Sequence, residues 1–475
     1  MVKKIGLILG PLSFIFLNFL GLENLDEKAS IVIALAAWMI IWWISEAVSI
    51  SVTSLLPLVI FPLFQVMEIN QVGANYGSSI VFLFFGGFVL ALALEKVNLH
   101  KRIALTIINK TGTSPNRVIL GFMIATAFMS MWISNTASTV VMLPIALSVI
   151  NLLIDNKKGG AKSEKNFSLS VMLGIAFSAN SGGIATVIGT PPNSVLIGLL
   201  ENEYNIEISF LNWMVIGLPF SITLMAIIYL LLTRVLFRNE NIKFKSSSQL
   251  ISDKLNELGK LSKEEMHVLI IFGITVFLWI FRTLINKLIP GFKLSDTIIS
   301  VGCAISLFAI PSKFSKPQFI LNWNDTKNLA WGILILFGGG LALAKGMSET
   351  GIVSLITDSI AGANLNIIIT VSLLITMMLF MTELMSNVAL VAVLAPVMAG
   401  IAIGLEIPIL HLLIPITMAS SCAFMLPMAT PPNAIVFASG YVKVSEMVRA
   451  GILINILSIL LLILMYKFFV PIIFN

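Results

Sequence analysis

The chain has 475 residues, of which 58% are hydrophobic and 11% are charged, and its formal net charge at pH 7 is +6. Soluble domains average about 25% charged residues, so this composition excludes a soluble globular protein and predicts an all-α membrane protein with many spans. The positive charge requires no nucleic-acid partner, because most basic residues fall in loops between apolar segments.

In chain order, the first apolar segment follows Lys3 and Lys4, as in a secretion signal. No small-residue cleavage site follows it and further apolar segments do, so we expect residues 1–29 to form a retained N-terminal helix. A segment of about 20 apolar residues can cross a roughly 30 Å hydrocarbon core. Eleven spans are predicted, near residues 5–22, 30–47, 50–66, 77–95, 168–198, 210–234, 266–288, 295–311, 329–346, 411–440 and 448–471.

Two further apolar stretches, 117–153 and 366–404, hold polar motifs near their middles. Each arm of about 17 residues is marginal for a span, so each stretch is either two spans or one re-entrant hairpin. Charge favours two hairpins, because with a cytoplasmic N-terminus 23 of the 29 Lys and Arg residues then fall in inside loops. The outside loops hold Lys28, Arg282, Lys287, Lys293 and Lys345. This arrangement predicts a C-terminus outside and hairpins that enter from opposite sides.

Polar motifs recur at matched positions in two halves of the chain. Ser134-Asn135-Thr136 and Ser386-Asn387-Val388 lie 252 residues apart, and Gly189-Thr190-Pro191 and Ala429-Thr430-Pro431 lie 240 residues apart. Helix-breaking polar segments at matched positions in two apolar halves predict the binding site of a transporter.

The recurrence divides the chain into two inverted repeats, residues 30–238 and 265–475, joined by a polar, lysine-bearing cytoplasmic connector at 239–264. Each Thr-Pro-Pro segment falls inside a long apolar stretch, 168–198 or 411–440. Proline removes a backbone donor and interrupts the helix, so we expect both stretches to be broken helices.

The motifs offer uncharged ligand atoms. Hydroxyl, carboxamide and freed carbonyl oxygens suit a hard cation such as Na⁺, and backbone N–H groups at a helix N-terminus suit an anion. No motif residue is Lys, Arg or His, and an unpaired anion at mid-membrane is costly. This favours symport with bound Na⁺ over exchange through a basic pocket. One such motif alone is more often a helix–helix contact, but the recurrence of both favours a ligand site.

Glu383 lies three residues before Ser386, inside the second stretch. A carboxylate within the membrane indicates function by default, and proton coupling is one interpretation. We favour the alternative that Glu383 forms hydrogen bonds within its hairpin and orients the tip.

Together these residues resemble the divalent anion/sodium symporter family, which includes the INDY-type dicarboxylate transporters. Besides the duplicated motifs, the resemblance rests on Ser45-Glu46-Ala47, Leu56-Pro57, Phe85-Gly86-Gly87, Phe337-Gly338-Gly339 and Trp331-Gly332-Ile333-Leu334. It covers nearly the whole chain. It implies a homodimer in which a scaffold domain stays fixed while a transport domain moves as an elevator.

The resemblance also implies which residues bind the ligands. Those implied for Na⁺ are Ser134, Asn135, Gly189, Ser386, Asn387 and Ala429. Those implied for substrate carboxylates are Asn135, Thr136, Thr190, Pro191, Asn387, Val388, Thr430 and Pro431. At Val388 the family motif has a second threonine, so a hydroxyl contact is lost here while the backbone N–H remains. The departure bears on the identity of the substrate more than on the transport class.

We therefore expect a secondary active transporter of the inner (plasma) membrane that imports C4-dicarboxylates such as succinate, malate or fumarate with Na⁺. The alternatives within transport are a Na⁺-independent dicarboxylate exchanger and a Na⁺/sulfate or tricarboxylate symporter. An intramembrane enzyme is a remote alternative, because the sequence has no His-Glu-x-x-His and no Gly-x-Ser-x-Gly motif. The expected partners are the dicarboxylate, Na⁺, lipids and a second copy of the chain, without an organic cofactor.

Overall fold

The structure, a computed structural model, describes residues 2–20, 25–112, 114–155, 161–238, 247–289, 291, 293–313, 318–361 and 366–474. These residues are mostly helical, as the composition predicts. The helices up to residue 236 are α1 Val2–Leu20, α2 Glu27–Ser45, α3 Ile50–Thr53, α4 Leu56–Leu63, α5 Ile69–Tyr76, α6 Ser79–Lys96, α7 Leu99–Thr111, α8 Pro115–Ser130, α9 Asn135–Asp155, α10 Ala161–Ile184, α11 Pro191–Tyr204 and α12 Phe210–Leu230, which continues as a π-helical turn, Leu231–Leu236.

The second half repeats this pattern of long, short and interrupted helices. Its elements are α13 Ser247–Glu257, α14 Lys263–Leu288, α15 Asp296–Ala309, the antiparallel strands β1 Pro311–Lys313 and β2 Gln318–Phe319, a 3-10 turn Trp323–Asn328, α16 Trp331–Glu349, α17 Ile352–Ile360, α18 Ile367–Thr382, α19 Asn387–Gly404, α20 Ile409–Ser420, α21 Pro431–Ala438, α22 Val444–Leu464, a π-helical turn Met465–Phe469 and α23 Val470–Ile473. Of the predicted connector, residues 239–246 lie outside the described residues, and part of the remainder forms α13.

Eight helical segments of the described chain are long and apolar enough to cross a membrane, by length and composition. They are Glu27–Ser45, Ile69–Lys96, Lys162–Ile184, Phe210–Leu236, Lys263–Leu288, Trp331–Glu349, Asn387–Gly404 and Val444–Ile473. Shorter apolar helices account for other predicted spans and hairpin arms. The protein therefore has the helices of a multi-pass membrane protein, while the count of eleven spans and the re-entrant hairpins stay predictions.

Local chemistry explains where the helices near the motifs begin. α11 and α21 start at Pro191 and Pro431, and proline is tolerated at the first helical position because its missing N–H would have no partner there. Thr190 and Thr430, the preceding residues, have extended backbones with φ of −140° and −139°. A residue before proline is pushed out of helical geometry, so both helices are forced to restart at these positions.

The helices pack in two groups. The motif group consists of α8–α12 and α18–α23 and contains all the repeated motifs; the frame group consists of α1–α6 and α14–α16. α7 packs against α8, and α17 packs against α19. α7 and α17, the helices just before the motif stretches 117–153 and 366–404, thus lie against the motif group.

Small residues line the boundary between the groups. A side-chain carbon added to Gly340 of α16 would lie 2.9 Å from the Cβ of Ala392 of α19, and one added to Gly198 of α11 would lie 3.2 Å from Leu341 of α16. Glycines allow such close approach of helices in membranes. The residues around these contacts, among them Leu199, Val391 and Ala395, are apolar.

Polar contacts between the groups occur where α12 begins. Arg282 of α14 pairs with Glu207 at 2.9 Å and with Asp296 of α15 at 3.3 Å. Asp296 also accepts a 2.7 Å hydrogen bond from the backbone N–H of Phe210. This network connects the start of α12 to the frame group.

Candidate functional site

The first tip, residues 130–136, joins α8 to α9 and is built around the side chain of Asn135. The Ser130 hydroxyl lies 2.5 Å from the Asn135 side-chain oxygen and donates to the Ala179 carbonyl of α10 at 2.7 Å. A side-chain carbon on Gly183 would lie 2.5 Å from the same Asn135 oxygen. Glycine at 183 therefore leaves the space in which the Asn135 carboxamide sits against the broken helix.

One end of the Asn135 carboxamide faces oxygen atoms only, and the other end faces donors only. Its outer position lies 2.5 Å from Ser130 Oγ and 3.2 Å from each of the Gly189 and Ala179 carbonyl oxygens. With the amide nitrogen turned to this position, Asn135 donates hydrogen bonds to all three. In this orientation both ends of the carboxamide are satisfied, and Ser130, Ala179 and Gly189 present three neutral oxygens to one point beside Asn135.

The first break, residues 185–190, separates α10 from α11 and is held open by side chains. Asn193 Nδ2 donates to the Thr186 carbonyl at 2.8 Å and to the Ile184 carbonyl at 3.3 Å. Thr186 Oγ1 donates to the Met131 carbonyl at 2.6 Å and accepts from the Gly189 N–H at 3.0 Å. These bonds satisfy backbone groups that the interrupted helix leaves without partners, and they fasten the break to the first tip.

The second tip, residues 382–388, has the same construction. Thr382 Oγ1 lies 2.6 Å from the Asn387 side-chain oxygen and 2.5 Å from the Ser420 carbonyl of α20, and its one proton can be donated to either oxygen. Thr382 and Ser130 are 252 residues apart, the same spacing as Asn387 and Asn135. A hydroxyl five residues before the motif asparagine is therefore part of both tips.

Sequence reasoning missed Ser130 and Thr382. The repeat spacing could have indicated them, since both equivalent positions hold a hydroxyl residue. The same helices hold other hydroxyl residues, so the sequence alone did not single these two out. Packing against α10 and α20 distinguishes them.

The second break, residues 421–430, repeats the first. Asn433 Nδ2 donates to the Ala423 and Leu426 carbonyls, each at 3.1 Å. Thr430 caps α21 by accepting from the Asn433 N–H at 3.4 Å. Asn433 lies 240 residues after Asn193, so one asparagine spans each break.

The two halves of the site adjoin at α10. Ala179 contributes its carbonyl to the first tip. The next residue, Asn180, donates from Nδ2 to Thr430 Oγ1 at 3.0 Å and to the Ala423 carbonyl at 3.2 Å in the second break. Consecutive residues of one helix thus contact the motifs of both repeats.

The structure places the twelve sequence-predicted residues at different depths. The exposed ones are Ser134, Thr136 and Pro431; the partly buried ones are Asn135, Pro191, Ser386, Asn387 and Val388; the buried ones are Gly189, Thr190, Ala429 and Thr430. Direct contacts join Asn135 to Gly189. The Thr430 oxygen accepts from Asn180 Nδ2 and from the Asn433 N–H that it caps, so its hydroxyl proton is the part left to donate to an anion.

Comparison with known proteins gives the class of this site. A family model described as the sodium:sulfate symporter transmembrane region matches residues 12–475. The chain belongs to this symporter family. It is 42% identical to a sodium-dependent dicarboxylate transporter, SdcS, of Staphylococcus saprophyticus, covering 99% of this chain and 92% of that protein. It is 41% identical, with the same coverage, to SdcS of Staphylococcus aureus strain USA300.

Solved structures share the fold at low sequence identity. The YdaH transporter of Alcanivorax borkumensis aligns with a TM-score of 0.53 and 9% identity over 85% of this chain and 87% of its own. MtrF of Neisseria gonorrhoeae, described within a class of antimetabolite efflux pumps, aligns with a TM-score of 0.53 and 13% identity over 97% and 98%. The symporter therefore has the fold of known membrane transporters.

The acidic side chains that the structure describes do not form a chelating cluster. Among the described residues, no group of three or more His, Cys, Asp or Glu side chains could hold a metal ion.

Removing either newly found hydroxyl should weaken cation binding. We expect Ser130→Ala and Thr382→Ala each to raise the Na⁺ concentration for half-maximal uptake about tenfold, the effect of losing one contact to a charged group. Sodium titration of uptake in proteoliposomes measures this. Thr126→Ala is the matched control, because its buried hydroxyl bonds only within α8, to the Phe122 carbonyl. An unchanged sodium dependence in both variants would remove these hydroxyls from the site.

Proposed function

We propose that this symporter imports C4-dicarboxylates together with Na⁺. The observation that carries the proposal is the cluster of oxygens around Asn135, matched by the Thr382–Asn387 pair in the other repeat, without a basic residue in the motifs. The relatives named sodium-dependent dicarboxylate transporters, matched over nearly their full length, support the same ion and substrate. A role as an enzyme has no support from the family.

Two Na⁺ positions follow from the repeated tips. The proposed ligands of the first are Ser134, Asn135 and Gly189 with Ser130 and Ala179; those of the second are Ser386, Asn387 and Ala429 with Thr382 and Ser420. Each set combines hydroxyl, carboxamide and carbonyl oxygens, the ligands that hard cations prefer.

The proposed anion position lies between the tips. α9, α11, α19 and α21 all begin at motif residues, and a helix N-terminus carries roughly half a positive charge. Thr136 and Pro431 are exposed at these starts, with Pro191 and Val388 partly exposed. We propose that the carboxylates contact Asn135, Thr136, Asn387 and Val388, with Thr190, Pro191, Thr430 and Pro431 completing the wall. Bound Na⁺ supplies the charge that the side chains lack.

Symport then concentrates the substrate. Each tenfold Na⁺ gradient contributes about 1.4 kcal/mol per ion, and each net positive charge moved inward contributes about 2.3 kcal/mol per 100 mV. A cotransport ratio above two Na⁺ per dianion therefore couples uptake to the membrane potential as well.

Uptake of labelled succinate into proteoliposomes tests the function. We expect an inward Na⁺ gradient to drive accumulation and a K⁺ gradient of equal size to drive none. Sodium-independent counterflow would identify an exchanger instead, and competition by sulfate or citrate stronger than by malate would identify one of the other symporters.

Position 388 tests which anion the site prefers. Val388→Thr adds a hydroxyl at the position equivalent to Thr136 of the first repeat, so we expect the KM for succinate to fall about tenfold, the effect of one hydrogen bond to a carboxylate. The KM values for succinate and sulfate, measured at saturating Na⁺, give the change in preference. Val140→Thr, an exposed position of α9, is the matched control. An unchanged KM ratio would place Val388 outside the anion contact.

We further propose that transport occurs by an elevator motion within a homodimer. The frame group would act as the scaffold. The motif group would act as the transport domain and slide along the apolar boundary at Gly340 and Ala392. α8–α9 and α18–α19 would be the re-entrant hairpins, and the repeats 30–238 and 265–475 would have opposite orientation. A cytoplasmic N-terminus, an outside C-terminus and contact with plasma-membrane lipids complete the proposed topology.

A further inference from the structure

Glu383 has a buried carboxylate that is not among the proposed ligands of Na⁺ or of the substrate. Glu383 follows α18 directly and is 2% exposed. One oxygen, Oε1, accepts from the Phe424 N–H at 2.8 Å and the Met425 N–H at 2.9 Å, and Oε2 accepts from the Leu426 N–H at 3.0 Å. Its partners lie in the second break, whereas the sequence interpretation placed them within its own hairpin.

A fourth donor comes from a third helix. Asn455 of α22 donates from Nδ2 to Glu383 Oε1 at 2.7 Å. All four partners are donors, and among the described residues Glu383 forms no ion pair with a basic side chain. A carboxylate with several N–H donors makes strong charge-assisted hydrogen bonds. Glu383 therefore fastens α18, the second break and α22 to one another.

In the first repeat, a neutral hydrogen bond connects the tip to the break. Met131 occupies the position 252 residues before Glu383, and Thr186 lies 240 residues before Leu426. There the Thr186 hydroxyl donates to the Met131 carbonyl at 2.6 Å. A neutral bond joins tip and break in the first repeat, and a carboxylate joins them in the second.

The charge lies beside the second tip. Glu383 is adjacent in the chain to Thr382, whose hydroxyl bonds to Asn387. Three consecutive N–H groups bound to one carboxylate fix the backbone of the break that leads to Ala429. A negative charge close to a cation position in a low-dielectric interior also favours occupation by a cation.

We propose that Glu383 is a positioning residue for cation binding at the second tip. It orders the second break so that the oxygens of Thr382, Asn387 and Ala429 converge, and its charge raises the affinity of that position for Na⁺. The inference rests on the proposed Na⁺-coupled function and gives the two tips unequal cation affinities.

Glu383→Gln tests the proposal because it keeps the side-chain size while removing the charge and replacing an acceptor by a donor. We expect the Na⁺ concentration for half-maximal uptake to rise at least tenfold. The KM for succinate at saturating Na⁺ should change less than threefold. Thermal stabilisation of the detergent-purified protein by Na⁺ without succinate should shift to higher Na⁺ in parallel, and Glu383→Asp should restore part of the affinity. Glu46→Gln, which removes an exposed carboxylate paired with Lys3 at 3.4 Å, is the control.

A lower maximal rate with wild-type sodium dependence would overturn the proposal, since that is the result of a purely structural role. A proton gradient that drives the wild type but not Glu383→Gln would also overturn it. If Glu383→Gln does not fold, Asn455→Leu removes one of the four donors with similar volume, and a twofold or larger rise in the half-maximal Na⁺ concentration is expected; no rise would overturn the proposal. Sodium-independent uptake by the wild type would instead contradict the proposed function itself.

Discussion

Asn135→Ala is expected to reduce sodium-driven succinate uptake to the level of empty proteoliposomes, and Asn387→Ala is expected to do the same. Each substitution removes the carboxamide around which the oxygens of its tip are arranged, at Ser130 in the first case and at Thr382 in the second. The loss affects both ligands at once, because the N–H groups of the following helix are held in place by the same tip. Uptake at saturating Na⁺ and succinate, normalised to the amount of folded protein, measures the effect.

The control for this prediction is Asn151→Ala on α9, which removes an exposed carboxamide hydrogen-bonded to Tyr441. It should retain near wild-type uptake. Size-exclusion profiles of all three variants should match the wild type, because neither tip asparagine belongs to the apolar core. Transport at the wild-type rate by Asn135→Ala or Asn387→Ala would show that the corresponding tip is not a ligand site.

Cross-linking α16 to α19 is expected to stop transport reversibly. The double variant Gly340→Cys and Ala392→Cys carries its two sulfurs on neighbouring Cβ atoms. A Cβ built on Gly340 lies 2.9 Å from Ala392 Cβ, so the helices must separate a little to reach the roughly 3.8 Å typical of disulfides. Oxidation would fix the motif group to the frame group, and an elevator then cannot move. Uptake should fall to background on oxidation and return on reduction, in a background with Cys303→Ser and Cys422→Ala.

The reduced double variant and each single cysteine variant serve as controls, and oxidation of a single variant should cause no further fall in its uptake. Full transport by a completely cross-linked double variant would contradict relative motion of the two helix groups at this boundary. That result would not bear on the proposed sodium and anion positions, because Gly340 and Ala392 lie outside both tips.

Several features of the site were determined by the sequence alone because their causes are local. Proline fixes the backbone before it, so the starts of α11 and α21 at Pro191 and Pro431 were readable. The repeat spacing located Asn135 and Asn387. Apolar length predicted the membrane class, since a long apolar segment has no alternative to a helix in lipid. Helix ends in polar sequence were not predicted. The stretch predicted at 168–198 consists of α10, which begins at Ala161, and α11, which ends at Tyr204, because charged residues continue each helix beyond its apolar part.

Only the tertiary structure shows which polar groups of the tips and breaks contact one another. Nothing in the order of residues relates Ser130 to Ala179, or Asn180 to Thr430, because those contacts depend on how α10 crosses both repeats. Glu383 is the clearest case, since its partners lie 41 to 43 and 72 residues away. Helix breaks and apolar periodicity arise from neighbouring residues, whereas the joining of two tips into one site arises from packing between distant helices, and only the folded chain contains that information.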